Sequence, residues 1–214
     1  MSIVIIGAGG HGRVLLEALR GGRARGLLGF TDADPSLHGR LIDSLPVLGS
    51  DAAIDALPRR RTSLVNGLGV AQGLALRRRV FLELRKRGFR FPPVSAPSAC
   101  VARTAELGEG SQILTRAVVH PGARIGDNAV VNTGAVIEHD VSIGDHAFIA
   151  PGAVLCGGVV VGEGSFVGAG AVVCPGVVIG AGARIGAGGV LLRDAAPGRT
   201  MIGVPAREVR KCRT

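Results

Sequence analysis

Five histidines, at 11, 38, 120, 139 and 146, are the side chains here that change charge nearest neutral pH. His139 stands apart because Glu138 and Asp140 flank it. A carboxylate can fix one imidazole nitrogen and leave the other to take a proton. His11 lies in the run Gly7-Ala8-Gly9-Gly10-His11-Gly12. Such a turn, between a strand and a helix, offers backbone amides to phosphate oxygens, and Arg13 can add a charged contact. The cysteines at 100, 156, 174 and 212 form no CxxC pair. Cys156 would allow an acyl-cysteine route, yet only a neighbouring imidazole could make its thiol acidic. Three imidazoles, His120, His139 and His146, could instead hold zinc with one open position, the arrangement of a hydratase.

Composition narrows the classes. With 47% hydrophobic residues the chain is not disordered. Its 35 glycines do not recur every third residue, so collagen is excluded. Six phenylalanines, without Trp or Tyr, cannot build a stacking platform for nucleic-acid bases. The net charge of +9 favours anionic partners such as phosphates or coenzyme A. The runs Arg59-Arg60-Arg61 and Arg77-Arg78-Arg79 read as solvated faces, and no nucleic-acid partner is expected. No apolar run approaches the ~20 residues of a membrane span, and Ser2–Ile6 is too short for a signal peptide. The expectation is a soluble cytoplasmic protein with reduced thiols, Lys211 and Cys212 in its tail.

A repeat dictates what positions His139. From Val101 to Leu191 an aliphatic residue recurs every six positions, sixteen times without a slip. Two residues before each, from 105 onward, stands Ala, Ser, Gly or Val. A strand with a tight corner has this period; a helix does not. Three units make one triangular coil of 18 residues, and the span holds about five coils stacked as parallel strands ~4.8 Å apart. This is the pattern of a left-handed parallel β-helix. Residues 18 apart then stack. One corner column reads His120, Glu138, Cys156, Cys174, Leu192; the next reads Pro121, His139, Gly157, Pro175, Arg193. Gly157 therefore lies one coil above His139, where its amide can hold an oxyanion. Cys156 and Cys174 stack within disulfide reach, although free thiols are expected. The aliphatic columns account for the core and show no seam for a partner.

The first half reads as a small Rossmann-like α/β domain, residues 1–92, followed by the β-helix domain and tail, 93–214. Strands are expected at Ser2–Ile6, Leu27–Phe30, Thr62–Asn66 and near 46–48. Helices follow the glycine turn to about Arg20 and span Leu74–Gly88. Asp32, 20 positions after Gly12, completes the fingerprint. Three or four strands are too few for a dinucleotide fold and suit a mononucleotide.

The run Val131-Asn132-Thr133-Gly134-Ala135-Val136-Ile137-Glu138-His139-Asp140 resembles the NeuD/PglD family of sugar acetyltransferases. So do Ile143-Gly144-Asp145-His146, Ile149-Ala150-Pro151-Gly152-Ala153, the glycine turn, Gly29-Phe30-Thr31-Asp32 and Gly203-Val204-Pro205-Ala206-Arg207. The resemblance implies a homotrimer with sites between subunits and acetyl-CoA as co-substrate, without a metal. It implies N-acetylation of a UDP- or GDP-linked 4-amino-4,6-dideoxy sugar, with O-acetylation of sialic acid as the variant. It makes His139 the base, oriented by Asp140, with Glu138 beside it. Asn132 would contact the acceptor, and the Gly157 amide would face the thioester. Gly9, Gly10, His11, Gly12 and Arg13 would line the phosphates, with Asp32 at the base and Asn66 nearby. Coenzyme A would lie near His146, Phe148, Gly157, Ala169, Val178 and Ala187. Phe148 departs from the family, which often has His there, and Ala33 interrupts its acidic pair.

Overall fold

A computed structural model describes residues 2–22, 24–70 and 73–209, so Lys211 and Cys212 lie outside the described residues. The chain divides into two compact units after Pro97.

In the first unit, β1 (Ser2–Ile6), β2 (Leu27–Thr31) and a later strand, β5 (Thr62–Asn66), form a parallel sheet in the order β2-β1-β5. Val4, Ile5 and Ile6 are buried without alternation, as a strand covered on both faces requires. Helix α1 (Gly10–Gly21) buries Leu15, Leu16, Ala18 and Leu19. Between β2 and β5, β3 (Leu41–Ile42) and β4 (Leu45–Pro46) form a short antiparallel hairpin. The strand expected near 46–48 is this β4. Helix α2 (Leu74–Lys86) ends two residues before the expected Gly88, which takes φ 90° and breaks it.

Helix α2 also corrects the reading of its arginines. Arg77 is 1% exposed and is no solvated face. Its Nη1 donates to the carbonyls of Asn66 (2.7 Å) and Leu68 (2.8 Å). Burial pulls the guanidinium down to about 9, so it stays charged at neutral pH and must be met by these acceptors.

The second unit is a left-handed β-helix of about six turns. Every coil-to-coil pairing from Cys100 to Leu191 is parallel and in the 18-residue register, as in Val118↔Val136↔Val154↔Val172↔Val190. Six strands stack on that face, so the five coils counted from the sequence carry one further strand. Inside, the aliphatic residues and the small residues two before them form one continuous core. The small side chains are needed because three strands converge there at native packing density. Corners call for a left-handed residue at each sixth position. Gly134, Gly152 and Gly158 supply it, but Asp140 and His146 both take φ 60° in the same slot. A non-glycine residue there costs ~1–2 kcal/mol.

Among the described residues no helix is long and apolar enough to cross a membrane. Replacing Arg77 with Met should strand the Asn66 and Leu68 carbonyls and lower stability by about 2–4 kcal/mol. Urea unfolding reads this, and an unchanged midpoint would remove Arg77 from the framework.

Candidate active site

The corner after strand Val136–Ile137 brings together the imidazole and carboxylate singled out in the sequence. The column of His139 is hydrogen-bonded through its backbone. The Gly158 amide donates to the His139 carbonyl (3.0 Å), the Gly176 amide to Gly157 (3.0 Å), and the Asp140 amide to Pro121 (3.2 Å). Asp140 Oδ2 lies 2.9 Å from His139 Nδ1. A carboxylate only accepts, so Nδ1 carries the proton, and in the neutral ring Nε2 keeps its lone pair. The ring leans over Gly157: a Cβ there would lie 2.6 Å from Nε2 and 2.7 Å from Cε1. Below, a Cβ on Gly122 would overlap Asp140 Oδ1. Two glycines, one coil above and one below, thus make room for the imidazole–carboxylate pair. Among the described residues no backbone acceptor takes the Gly157 amide N–H. A bare ring nitrogen beside an uncommitted amide can take a proton from a nucleophile and hold the oxyanion that forms.

The other predicted residues go elsewhere. Glu138 does not orient His139; its Oε1 faces His120 Nε2 at 3.8 Å in the neighbouring column. Cys100, Cys156 and Cys174 are free thiols. Burial, then Cys174, then Glu138 raise the Cys156 pKa, the wrong direction for a nucleophilic thiolate. His146 is buried at a different corner, its Nδ1 3.0 Å from Asn128 Nδ2. The three imidazoles that would have made a zinc site therefore do not converge. Among the described residues no group of three or more His, Cys, Asp or Glu is placed to hold a metal. Phe148 is 3% exposed and stacks with Phe166, ring centroids 6.0 Å apart. Asn132 Oδ1 accepts from the Thr133 amide (2.7 Å) at the corner preceding His139. Ala169 and Ala187 stack above Thr133 in register and are exposed, as is Val178. Asn132 and these alanines thus share a corner other than that of His139.

In the first unit the glycine turn has the shape expected. Gly7 takes φ 90°, and a Cβ on Gly12 would overlap the Gly7 carbonyl oxygen. Gly9 and Gly10 are different: a Cβ on either meets nothing within 4 Å. They leave open space at the start of α1, which has no side-chain cap and no acid in its first turn. This favours an anion. His11 lies half-buried beside them. Arg13 points to the hairpin, with its Nε 2.7 Å and its Nη2 3.2 Å from the Asp43 carboxylate. Asp32 ties the turn together, accepting from the Ala8 amide (2.8 Å) and the Asp34 amide (3.0 Å). Asn66 is buried, donates to the Arg77 carbonyl (3.0 Å) and holds the turn after β5.

The outer face adds a feature that the inward-facing repeat does not show. On the outer face of the sheet leading to the His139 corner, Val118, Val136, Val154, Val172 and Val190 form a single half-buried column. It is an apolar stripe ~19 Å long. The signal was present: valine at one position in every 18.

Residues 2–84 match the PglD N-terminal domain, and 104–139, 123–157 and 158–193 match the bacterial transferase hexapeptide. No curated protein matches. Among solved structures, PerB from Caulobacter crescentus, in complex with CoA and GDP-perosamine, is 38% identical with TM-score 0.90, covering 98% of each chain. A histidine-to-alanine mutant of GDP-perosamine N-acetyltransferase from the same organism, with the same ligands, is 38% identical with TM-score 0.91, covering 99% of this chain and 98% of that one. The acetyltransferase domain of PglB from Neisseria gonorrhoeae FA1090 is 31% identical with TM-score 0.90, covering 97% and 99%.

Gly157 has an ordinary backbone φ, so Gly157→Ala should fold normally, within ~0.5 kcal/mol. Its methyl should push the His139 ring aside in the crystal structure of the variant. A ring left in place would mean that the close approach does not fix it.

Proposed function

Since the chain belongs to the NeuD/PglD family of sugar acetyltransferases, we propose that it moves the acetyl group of acetyl-CoA to the amino group of a nucleotide-linked 4-amino-4,6-dideoxy sugar. It is an acyltransferase; the acceptor and the base are what this reading adds. The observation that carries it is the His139 ring, held by Asp140 at Nδ1 and set over Gly157 at Nε2.

The acceptor amine attacks the thioester carbonyl as Nε2 takes its proton. The negative charge that develops on the carbonyl oxygen meets the Gly157 amide. The C–S bond then breaks, the thiolate of coenzyme A leaves, and the proton on His139 passes to it. Asp140 stabilises the imidazolium between these steps without taking the proton itself. No acyl-cysteine is needed, in keeping with the raised Cys156 pKa. Two substrates are then bound at once, and double-reciprocal plots should intersect.

The first unit holds the nucleotide. Its uncapped helix start and the open Gly9–Gly10 turn suit a diphosphate. GDP-perosamine in the PerB complex favours guanosine over uridine. The assembly is a homotrimer, with the valine stripe as its seam. This explains the scatter of predicted residues over two corners: Asn132, Ala169 and Ala187 of one subunit can serve His139 of another.

The test is thiol release from acetyl-CoA with GDP- and UDP-linked 4-amino-4,6-dideoxy sugars, free sialic acid and simple amino sugars. The expected result is turnover with a GDP-linked amino sugar, reduced ~10²–10⁴-fold in His139→Ala. Full activity in that variant would overturn the assignment of the base. Turnover with sialic acid alone would make the protein an O-acetyltransferase. Light scattering should give three chains for the wild type and one for Val154→Glu.

A further inference from the structure

Acetyl transfer has no use for the run Arg59-Arg60-Arg61, and the run does not stand alone. Residues 1–97, the first unit, hold 15 Lys and Arg against 7 Asp and Glu, a net +8. Residues 98–214 hold 10 against 9, a net +1. Topology decides where in the first unit the cations sit. The 3-10 helix Arg59–Arg61 leads directly into the amino end of β5. Helix α2 runs back from the carboxyl end of β5 to that amino end, because the chain after it pairs parallel to β5, Arg90 beside Ser63. Arg87, at the end of α2, pairs with Asp55 just upstream of the arginine run. Arg59, Arg60, Arg61, Arg85, Lys86 and Arg90 therefore gather at the amino edge of the sheet, and all six are exposed. The glycine turn follows β1 and lies at the opposite, carboxyl edge. Cations that served to draw in a nucleotide would stand around that turn; these stand at the far edge from it.

We infer that this edge docks the protein on an anionic lipid surface, its cations among the headgroup phosphates. Lipid phosphates form a plane of charge, so cations from three separate segments can be met at once with no shape to match. The helix adds an apolar contact. Leu82 is 41% exposed, with Arg79 three residues before it and Lys86 four after it on the same side of α2. Glu83 is the one acid of that helix. Cations around an exposed leucine suit a helix face that rests at the headgroup boundary. Nucleic acid fits less well. Phe30, Phe81, Phe89 and Phe91, all the aromatic residues of the first unit, are buried, so no ring is offered to a base. The contact is peripheral and leaves the glycine turn, at the other edge, open to its ligand.

Co-sedimentation of the full chain with vesicles tests this without any substrate, so it stands or falls apart from the proposed chemistry. The vesicles are phosphatidylcholine alone, or phosphatidylcholine with ~30% phosphatidylglycerol. Wild type should sediment with the anionic vesicles only, and ~1 M salt should release it. The double variant Arg59→Gln/Arg60→Gln should bind them ~10–30-fold more weakly. Arg103→Gln/Arg124→Gln, in the second unit, makes the same change in net charge and should bind as wild type does. All four side chains are exposed, so both variants should fold, and thermal melts check that. No binding of wild type to the anionic vesicles would overturn the inference. So would equal losses in the two variants, which would make the effect one of net charge and not of this edge. Tighter binding to duplex DNA than to the vesicles at the same salt would also overturn it and make the partner a nucleic acid.

Discussion

Parallel pairing with an 18-residue step is the constraint on which the second unit depends. Once Val118 pairs with Val136 and Val136 with Val154, every corner residue is fixed relative to the one a coil away. The carbonyl of His139 is hydrogen-bonded to the chain beside Gly157, and the carbonyl of Pro121 to Asp140 itself. A slip of one residue would remove both glycines from the imidazole–carboxylate pair and turn the aliphatic core outward. Position in this site therefore comes from backbone hydrogen bonds and core packing, which are rigid, rather than from loops.

The local cost of that placement is visible. Asp140 occupies a left-handed corner position that glycine fills in most other coils. The geometry yields a carboxylate beside the His139 Nδ1 and against a coil with no side chain in the way. Strain of this kind persists only where the surrounding fold holds it, and here it trades stability for the orientation of a carboxylate. The pair is open to solvent, 66% and 73% exposed at the two side chains.

The hexapeptide series made the β-helix legible because its period belongs to no other structure, and column arithmetic found Gly157 above His139. Side-chain direction was less legible. Glu138 and Asp140 are equivalent neighbours in the sequence, but they lie in different columns, and only Asp140 meets the ring. Arg77 looked like one of three surface arginines, since helical periodicity cannot show that two carbonyls await it inside. Asn66 and Asp32 sit where a nucleotide contact was expected, and both hold backbone amides or carbonyls together. The valine stripe is not legible from the repeat, because the six-residue period marks the inward residue of each strand and leaves the outward one unconstrained.

The protonation of His139 in the resting protein tests the account most directly. Nitrogen NMR on protein labelled at its five histidines, with His139→Ala to assign the signal, distinguishes the two neutral tautomers. The account predicts a proton on Nδ1 and a bare Nε2, reversed or mixed in Asp140→Asn. A proton resident on Nε2 in the wild type would contradict it, since that nitrogen could not then take the proton from the attacking amine.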